Sequence, residues 1–562
     1  MTAPSVDTSA IAPSPAAGKD RVFPRLTTAD IGRIAEHGQR RAVESGEILF
    51  EPGQGIARFF VVTAGSIEIV MKSAATEQLL GVLEPGMFTG EVNMLSGRPG
   101  FARIRAREAS EVVEVDRADL IGLIQTDAEL SEILMRAFLL RRAEINSNGY
   151  GAAVLVGASY CSETLRIKEF LTRNGFPYSY IDVEHDDATH DVLGRFQVSS
   201  RDFPVLICRG ELLLRNPSNR EIADCLGFNE SIDRVHVRDV VVLGAGPSGL
   251  AAAVYAASEG LDVLVVESNA PGGQAGTSSR IENYLGFPTG ISGEELAARA
   301  YTQAQKFGAP VLIARQAVRL RCDQTPYTIE LDDGARIAAR TVVIATGATY
   351  RKLALENLSH FEGAGIYYAA THMESQLCSG DEVAIVGGGN SAGQAAVFLA
   401  QTARKVHLLI RSGGLAESMS RYLIRRIESD RGIVMRTHTE ISALEGNGHL
   451  ERVRWRDNET GQMETHNVRH VFSMTGAVPN TGWLAGCLTL DATGFIKTGT
   501  ALTPEDLAAA GWSLARRPFP LETTRPGVFA VGDVRSGNYK RVAAAVGEGS
   551  TAIASVHQVL AS

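Results

Sequence analysis

The sequence predicts a multidomain chain in three parts: an antiparallel β-barrel, a small α/β unit, and two parallel-sheet α/β folds, the second inserted in the first. Three observations carry this prediction. The 562 residues exceed what one core organises, at roughly 150 residues per domain. Short strands with Gly and Pro punctuation recur from about residue 23 to 145. The segment RDVVVLGAG, opening at Arg238, is echoed by DEVAIVGGG, opening at Asp381.

Composition removes several function classes. Lys plus Arg number 55 against 64 for Asp plus Glu, a net charge of −9 with no long run of one sign, so nucleic acid is a poor partner. The six cysteines, at 161, 208, 225, 322, 378 and 487, are too sparse for a disulfide framework and include no C-x-x-C pair. No metal is expected, and the compartment is read as the reducing cytoplasm. Residues 1–20 lack a basic start and an apolar core, which makes them a flexible tail and not a signal peptide. Residues 240–258 are uncharged over 19 positions, long enough to span a bilayer, but Gly-Ala-Gly-Pro-Ser-Gly in their middle marks a strand, a turn and an Ala-rich helix. No membrane association is expected.

In chain order, the barrel strands are GEILF, RFFVVTAG, SIEIVMK, LLGVLEPG, ARIRARE and EVVEVD, flanked by helical stretches and assigned to residues 21–147. Residues 150–228 then alternate strand AAVLVG, helix ETLRIKEFLTRNG, strand SYIDVE, helix ATHDVLGRFQ, strand FPVLICRG and helix NREIADCLG. From Val237 onward, buried strands run into glycine turns and helices, which is the order of Rossmann-like dinucleotide folds. The first is assigned to 236–356 and 472–562, the second to 357–471.

The glycine turns carry the chemistry. Gly244, Gly246 and Gly249 stand in G-x-G-x-x-G order between a strand and a helix, and Glu267 ends the next strand. Those glycines allow a tight turn, close approach of a pyrophosphate to backbone N–H groups, and close helix packing, while Glu267 would accept from ribose hydroxyls. The second loop has Gly387, Gly389 and Ala392 in G-x-G-x-x-A order, and its second strand, KVHLLIR, ends in Arg411 where the first ends in Glu267. An arginine there accommodates a 2′-phosphate, so NADPH is the expected ligand. Residues 389–393 also spell G-x-S-x-G around Ser391, the pattern of a hydrolase nucleophile turn, but the dinucleotide loop already explains them.

Two nested dinucleotide folds with these motifs resemble the thioredoxin-reductase family of flavoproteins over about residues 238–562. The resemblance also rests on Gly272-Gly273-Gln274, Glu282-Asn283, Ala345-Thr346-Gly347, Pro479-Asn480-Thr481, and the segment 527–533 that ends in Gly532-Asp533. It implies that Gly273, Gln274, Asn283, Thr346, Gly347, Gly532 and Asp533 surround FAD, with Asp533 on the ribitol chain. It implies equally that a redox dithiol should precede the second glycine loop. Here that segment reads Tyr368-Ala369-Ala370-Thr371-His372, so Ala369 and His372 replace both cysteines, and His372 is a candidate for managing protons near the flavin.

The unit at 150–228 resembles a thioredoxin or glutaredoxin fold in which Cys161-Ser162-Glu163-Thr164 takes the C-x-x-C position, with Thr164 replacing the resolving cysteine and Pro204 matching the family's cis-proline. A cysteine at a helix start gains thiolate character. The barrel resembles a cyclic-nucleotide-binding domain: Gly53-Gln54, the strand 59–62, Gly65, and then Gly86, Phe88, Gly90 and Glu91 fit it. Glu91 would take the ribose hydroxyl. The family's phosphate-binding arginine is missing from Pro99-Gly100-Phe101-Ala102, which leaves Arg98 as the near substitute and a cyclic nucleotide as a weakly held ligand.

The reading is therefore an NADPH-dependent FAD oxidoreductase, acting as a homodimer on a thioredoxin-like, ferredoxin-like or small disulfide acceptor. Two alternatives stay open: a thioredoxin-disulfide reductase relaying electrons through Cys161, and a ligand and redox sensor with little turnover.

Overall fold

The computed structural model describes residues 21–562 apart from 53, 54, 56, 57, 74, 75, 101, 148–152, 160, 184–201, 209–211, 231, 232, 234, 235 and 485. The expected tail, the turn Gly53-Gln54 and the helix read over 188–197 lie outside the described residues.

The barrel is built from two antiparallel sheets. One runs Gln39–Val43, Ser110–Val115, Phe59–Ala64; the other runs Ile48–Phe50, Arg103–Ala106, Ile67–Ser73, Thr76–Leu83. Alternation sets the faces: Ile104 and Ala106 are buried while Arg103 and Arg105 between them reach outward to pair with Glu51 and Glu68. Inside, Phe50, Phe60, Val62, Ile67 and Val112 form one cluster. The strand Phe59–Ala64 also buries Phe59, whose ring meets Phe88 at 5.7 Å and Phe138 at 6.3 Å, fastening the helix Ala128–Ser147 to the barrel. Each such ring contributes about 1.5–3 kcal/mol by burial.

In the middle unit Ala153–Gly157 runs parallel to Tyr178–Asp182 and antiparallel to Val205–Cys208, which pairs in turn with Leu212–Arg215. That last strand was not read from the sequence. The Phe203-Pro204 bond is cis. The helix Asn219–Leu226 starts on a Ser218 to Glu221 capping box and stops at Gly227 in the left-handed region, as a serine before and a glycine after a helix favour. The unit is not a loose appendage. Phe170, Leu226 and Phe228 belong to the same core as Val240, Val263 and Ala309 of the next fold.

The first dinucleotide fold is a sheet ordered Val311–Ile313, Val263–Glu267, Val237–Leu243, Arg336–Ile344, Tyr327–Leu331, Ala317–Arg321, with Val528–Ala530 pairing the C-terminal end of Arg336–Ile344. Its parallel strands are buried on both faces, which is why VVVL and VLVV read as unbroken apolar runs. The stretch 240–258 is the strand Val237–Leu243 followed by the helix Pro247–Ser258. The second fold is a parallel sheet ordered Ile366–Tyr367, His470–Ser473, Glu382–Val386, Lys405–Leu409, Ile433–Arg436. A two-stranded link, Ala348–Tyr350 against Ala477–Pro479, carries the chain between the folds. Cys322 and Cys487, 165 residues apart, form a disulfide inside the first fold, a pairing that the cysteine spacing gave no sign of. No helix among the described residues is long and apolar enough to cross a membrane.

Candidate dinucleotide sites and the junction between domains

The first loop is packed so tightly that side chains are excluded. Gly244 has φ +103°, and a Cβ there would stand 2.4 Å from the Ala345 carbonyl oxygen. A Cβ on Gly249 would stand 1.8 Å from the Gly244 oxygen, so the third glycine is what seats the helix on the turn. Gly246 is the N-cap of Pro247–Ser258, and Gly273 lies against it, its imagined Cβ 3.1 Å from the Gly246 Cα. Two side-chain-free turns thus form a cradle at a helix N-terminus, where unpaired N–H groups face outward.

The acidic groups fit a dinucleotide at this cradle. Both oxygens of Glu267 accept from backbone, from Ala245 N–H at 2.7 Å and from Asn269 N–H at 2.8 Å, and burial pushes its carboxyl up from the ordinary range. Asp533, in the short turn Gly532–Val534, is partly buried, pushed up by desolvation, and makes no hydrogen bond among the described residues. A carboxylate held this way is available to ligand hydroxyls. Thr346 Oγ1 donates to the Asn480 carbonyl at 3.0 Å, Asn480 N–H donates to the Gly347 oxygen at 3.0 Å, and Gln274 Nε2 donates to the Ala348 oxygen. These three join the cradle to the link between the folds. Asn283 is exposed and hydrogen-bonds to none of them.

The second loop repeats the pattern. Gly387 has φ +144°, with an imagined Cβ 2.5 Å from the Met474 carbonyl oxygen; Gly389 is the N-cap of Asn390–Leu399 with open space in front; and Ala392 is buried under the turn. Arg411 lies two residues beyond Lys405–Leu409, exposed and without an ion-pair partner among the described residues, so its guanidinium is free to meet a phosphate. Ser391 is exposed and hydrogen-bonds to no histidine or carboxylate among the described residues.

His372 opens the helix His372–Leu377, where Thr371 and Glu374 form a capping box; the imidazole is exposed and meets Gln376 Nε2 at 3.0 Å. Cys378 is fully buried, its thiol donates to the Ser375 carbonyl, and desolvation pushes it up to about 11, so it is not a nucleophile. Cys161 is the half-buried N-cap of Ser162–Arg173, with Thr164 buried behind it.

That helix spans both folds. At its start Ser162 abuts Gly363, where an added Cβ would come within 2.7 Å of the serine Cβ. At its end Arg173 Nη2 donates to the Gly273 oxygen at 2.9 Å, and Asn174 Nδ2 donates to the Asn269 oxygen at 3.3 Å. Burial pushes the Glu294 carboxyl up, against the opposing pull of Arg173 and His372. Sequence reasoning missed Arg173 and Asn174, because nothing local distinguishes them from other polar residues at a helix end.

In the barrel, Gly90 has φ +102° and its oxygen accepts from Arg141 Nη1 at 2.8 Å; Glu91 pairs with Arg142 at 3.3 Å. Arg98 lines the barrel cavity and also ties it to the neighbouring domains: its Nη1 donates to the Asn174 oxygen at 3.1 Å, its Nη2 to the Tyr301 hydroxyl at 3.3 Å, and its guanidinium lies 4.3 Å over Phe228. Its Nε is buried without a hydrogen-bond partner among the described residues.

Two glycine cradles on two parallel-sheet folds joined by a strand link define a protein built to hold two dinucleotides. Residues 238–549 match the family model described as pyridine nucleotide-disulphide oxidoreductase, and the chain belongs to that family. Residues 40–127 match the model for the cyclic nucleotide-binding domain. Among curated relatives, NADPH-dependent thioredoxin reductase 3 of Arabidopsis thaliana is 30% identical over 370 residues, covering 63% of this chain and 66% of that one. Thioredoxin reductase of Mycolicibacterium smegmatis is 32% identical over 317 residues, covering 56% of this chain and 94% of that one. Among solved structures, T. acidophilum thioredoxin reductase superposes with a TM-score of 0.52 at 29% identity, over 59% of this chain and all of that one. The thioredoxin reductases of this family use FAD and NADPH.

Proposed function

We propose that the chain carries electrons from NADPH through FAD to a protein or small disulfide acceptor without a dithiol in the second dinucleotide fold. The observation that carries this reading is the segment 368–372: Ala369 and His372 stand where the relatives' dithiol is expected, and the nearest cysteine in sequence, Cys378, is sealed in the core. With both cofactors bound, the pair supplies hydride transfer from nicotinamide to flavin. The chain's own residues do the rest. Backbone N–H groups of the two glycine turns hold the phosphates, Glu267 and Asp533 accept from ribose and ribitol hydroxyls, Arg411 selects the 2′-phosphate, and exposed His372 exchanges protons with solvent.

A second reading, reduction through Cys161, is favoured by one contact: the helix that begins at this cysteine docks by Ser162 against Gly363 of the second fold. NADPH oxidation assayed with thioredoxin, glutaredoxin, ferredoxin and flavodoxin, in the wild type and Cys161→Ser, separates the readings. Turnover that survives the substitution assigns Cys161 no catalytic role; turnover abolished by it selects the second reading. Flavin reduction that stops after one event with every acceptor selects a sensor. The barrel is the regulatory module in each case, and the active form is proposed to be a cytoplasmic homodimer.

A further inference from the structure

The barrel holds a half-open cavity of about 160 Å3, walled by Phe23, Phe50, Ile69, Leu80, Met94 and Ile104. Arg141, on the helix Ala128–Ser147, also lines it and is itself 6% exposed. Its Nε donates to the Val22 carbonyl at 2.9 Å, its Nη1 to the Gly90 carbonyl at 2.8 Å, and its guanidinium stacks over Phe88 at 4.6 Å and Phe23 at 4.8 Å. The third nitrogen, Nη2, is buried without a hydrogen-bond partner among the described residues. Desolvation pushes this guanidinium down to about 9, with Glu91 and Glu144 pulling the other way. A buried donor without an acceptor costs free energy that a bound acceptor would return. Asn93 lines the same cavity, is 7% exposed, and its carboxamide makes no hydrogen bond among the described residues.

Size and lining specify the rest of the ligand. A dry apolar cavity of about 150 Å3 in another protein accepts benzene, so 160 Å3 suits a six-membered ring or a short aliphatic chain. Gly100, where the related domains carry the arginine that grips a cyclic phosphate, contributes only space to the wall. Arg142 is committed to Glu91 and the Gly175 oxygen, and Arg98 spends Nη1 and Nη2 on Asn174 and Tyr301, which leaves it only a buried, unpaired Nε and no two-nitrogen grip for a phosphate.

We propose that the barrel cavity is a receptor site for a small organic monocarboxylate with an aromatic or short aliphatic body, its carboxylate accepting from Arg141 Nη2 and its body filling the space between Ile69, Leu80 and Ile104. This goes beyond the electron-transfer reading and does not depend on it.

Calorimetry on the full-length holoprotein tests the site with benzoate, hexanoate, neutral benzyl alcohol, cyclic AMP and cyclic GMP as probes. Benzoate or hexanoate is expected to bind with a Kd below about 1 mM, benzyl alcohol at least tenfold more weakly because it lacks the charge-assisted acceptor, and either cyclic nucleotide no tighter than about 10 μM and below the better acid in affinity. Arg141→Gln should weaken acid binding at least tenfold. Ile104→Trp fills the cavity without touching Arg141 and should abolish it. Should Arg141→Gln fail to fold, the benzoate to benzyl alcohol ratio on the wild type and the Ile104→Trp titration decide. Equal binding of benzoate and benzyl alcohol, a cyclic nucleotide bound more tightly than both acids, acid binding retained in Ile104→Trp, or no binding of either acid would each overturn the proposal.

Discussion

Two glycines only two residues apart on the C-terminal helix Val542–Leu560 should respond oppositely to the same substitution. Gly547 is exposed, and an added Cβ meets nothing within 4 Å; Gly549 is buried, and its Cβ would stand 2.2 Å from the Ser248 oxygen, 3.0 Å from Ala251 Cβ and 3.0 Å from Ala252 N. All three obstacles belong to the helix Pro247–Ser258, which leaves the first glycine turn. The obstructing oxygen is backbone, so no rotamer change relieves it, and restoring an ordinary contact of about 3.2 Å requires the helices to part by roughly 1 Å. Gly547→Ala should therefore be neutral or gain up to about 1 kcal/mol from helix propensity, whereas Gly549→Ala should lose about 1–3 kcal/mol by overpacking. At roughly 2–4 °C per kcal/mol for a domain of this size, Gly549→Ala lowers Tm by several degrees and Gly547→Ala does not. Because the displaced helix carries the N–H groups of the cradle, Gly549→Ala should also retain less flavin, read as the ratio of absorbance at the flavin band to that of protein. Equal Tm shifts in the two variants would refute the close helix approach on which this reasoning rests.

Three further outcomes are expected. Arg411→Ala should reduce the preference for NADPH over NADH, measured as a ratio of kcat/KM, by roughly ten- to a hundredfold, the equivalent of about 1.5–3 kcal/mol for one charge-assisted contact; an unaltered ratio rejects the role. Anaerobic reductive titration should end after one two-electron equivalent per FAD, whereas an additional equivalent lost in Cys161→Ser would locate a second redox centre in the middle unit. His407 and His470 are buried on the second parallel sheet, and desolvation holds both below the ordinary histidine value of 6.5, against the opposing pull of Glu382 on His407 and Asp381 on His470. A depressed folded-state value means that the unfolded chain takes up protons first, so stability is full above about 6.5 and falls as pH drops below it. Thermal unfolding at pH 7.5 and 5.5 should show this loss, and His407→Gln should flatten it; a pH-independent Tm counts against the buried neutral imidazoles.

What the sequence by itself determined was whatever is encoded locally. Gly244, Gly246 and Gly249 between VVVL and an Ala-rich stretch dictate a turn into a helix because no residue with a Cβ meets the Gly244 oxygen at that distance. The alternation of Arg103, Ile104, Arg105 and Ala106 sets the faces of a barrel strand, and Ser218 with Glu221 sets a helix start, both through residues close in sequence. The replacement of both dithiol positions by Ala369 and His372 was equally legible, being a matter of residue identity.

Tertiary structure alone decided where distant segments meet. The barrel's Arg98 places its Nη1 and Nη2 on Asn174 and Tyr301, which lie 76 and 203 residues away in sequence. Arg141 carried no motif at all, and it acquires meaning only because one of its nitrogens is left bare beside an apolar cavity. The helix after Cys161 likewise reveals its place only when Ser162 meets Gly363 and Arg173 meets Gly273. The physical reason is the same in each case: backbone geometry and hydrophobic period repeat over a few residues and leave a local trace, whereas a buried polar group takes its partner from whichever chain segment packing brings near.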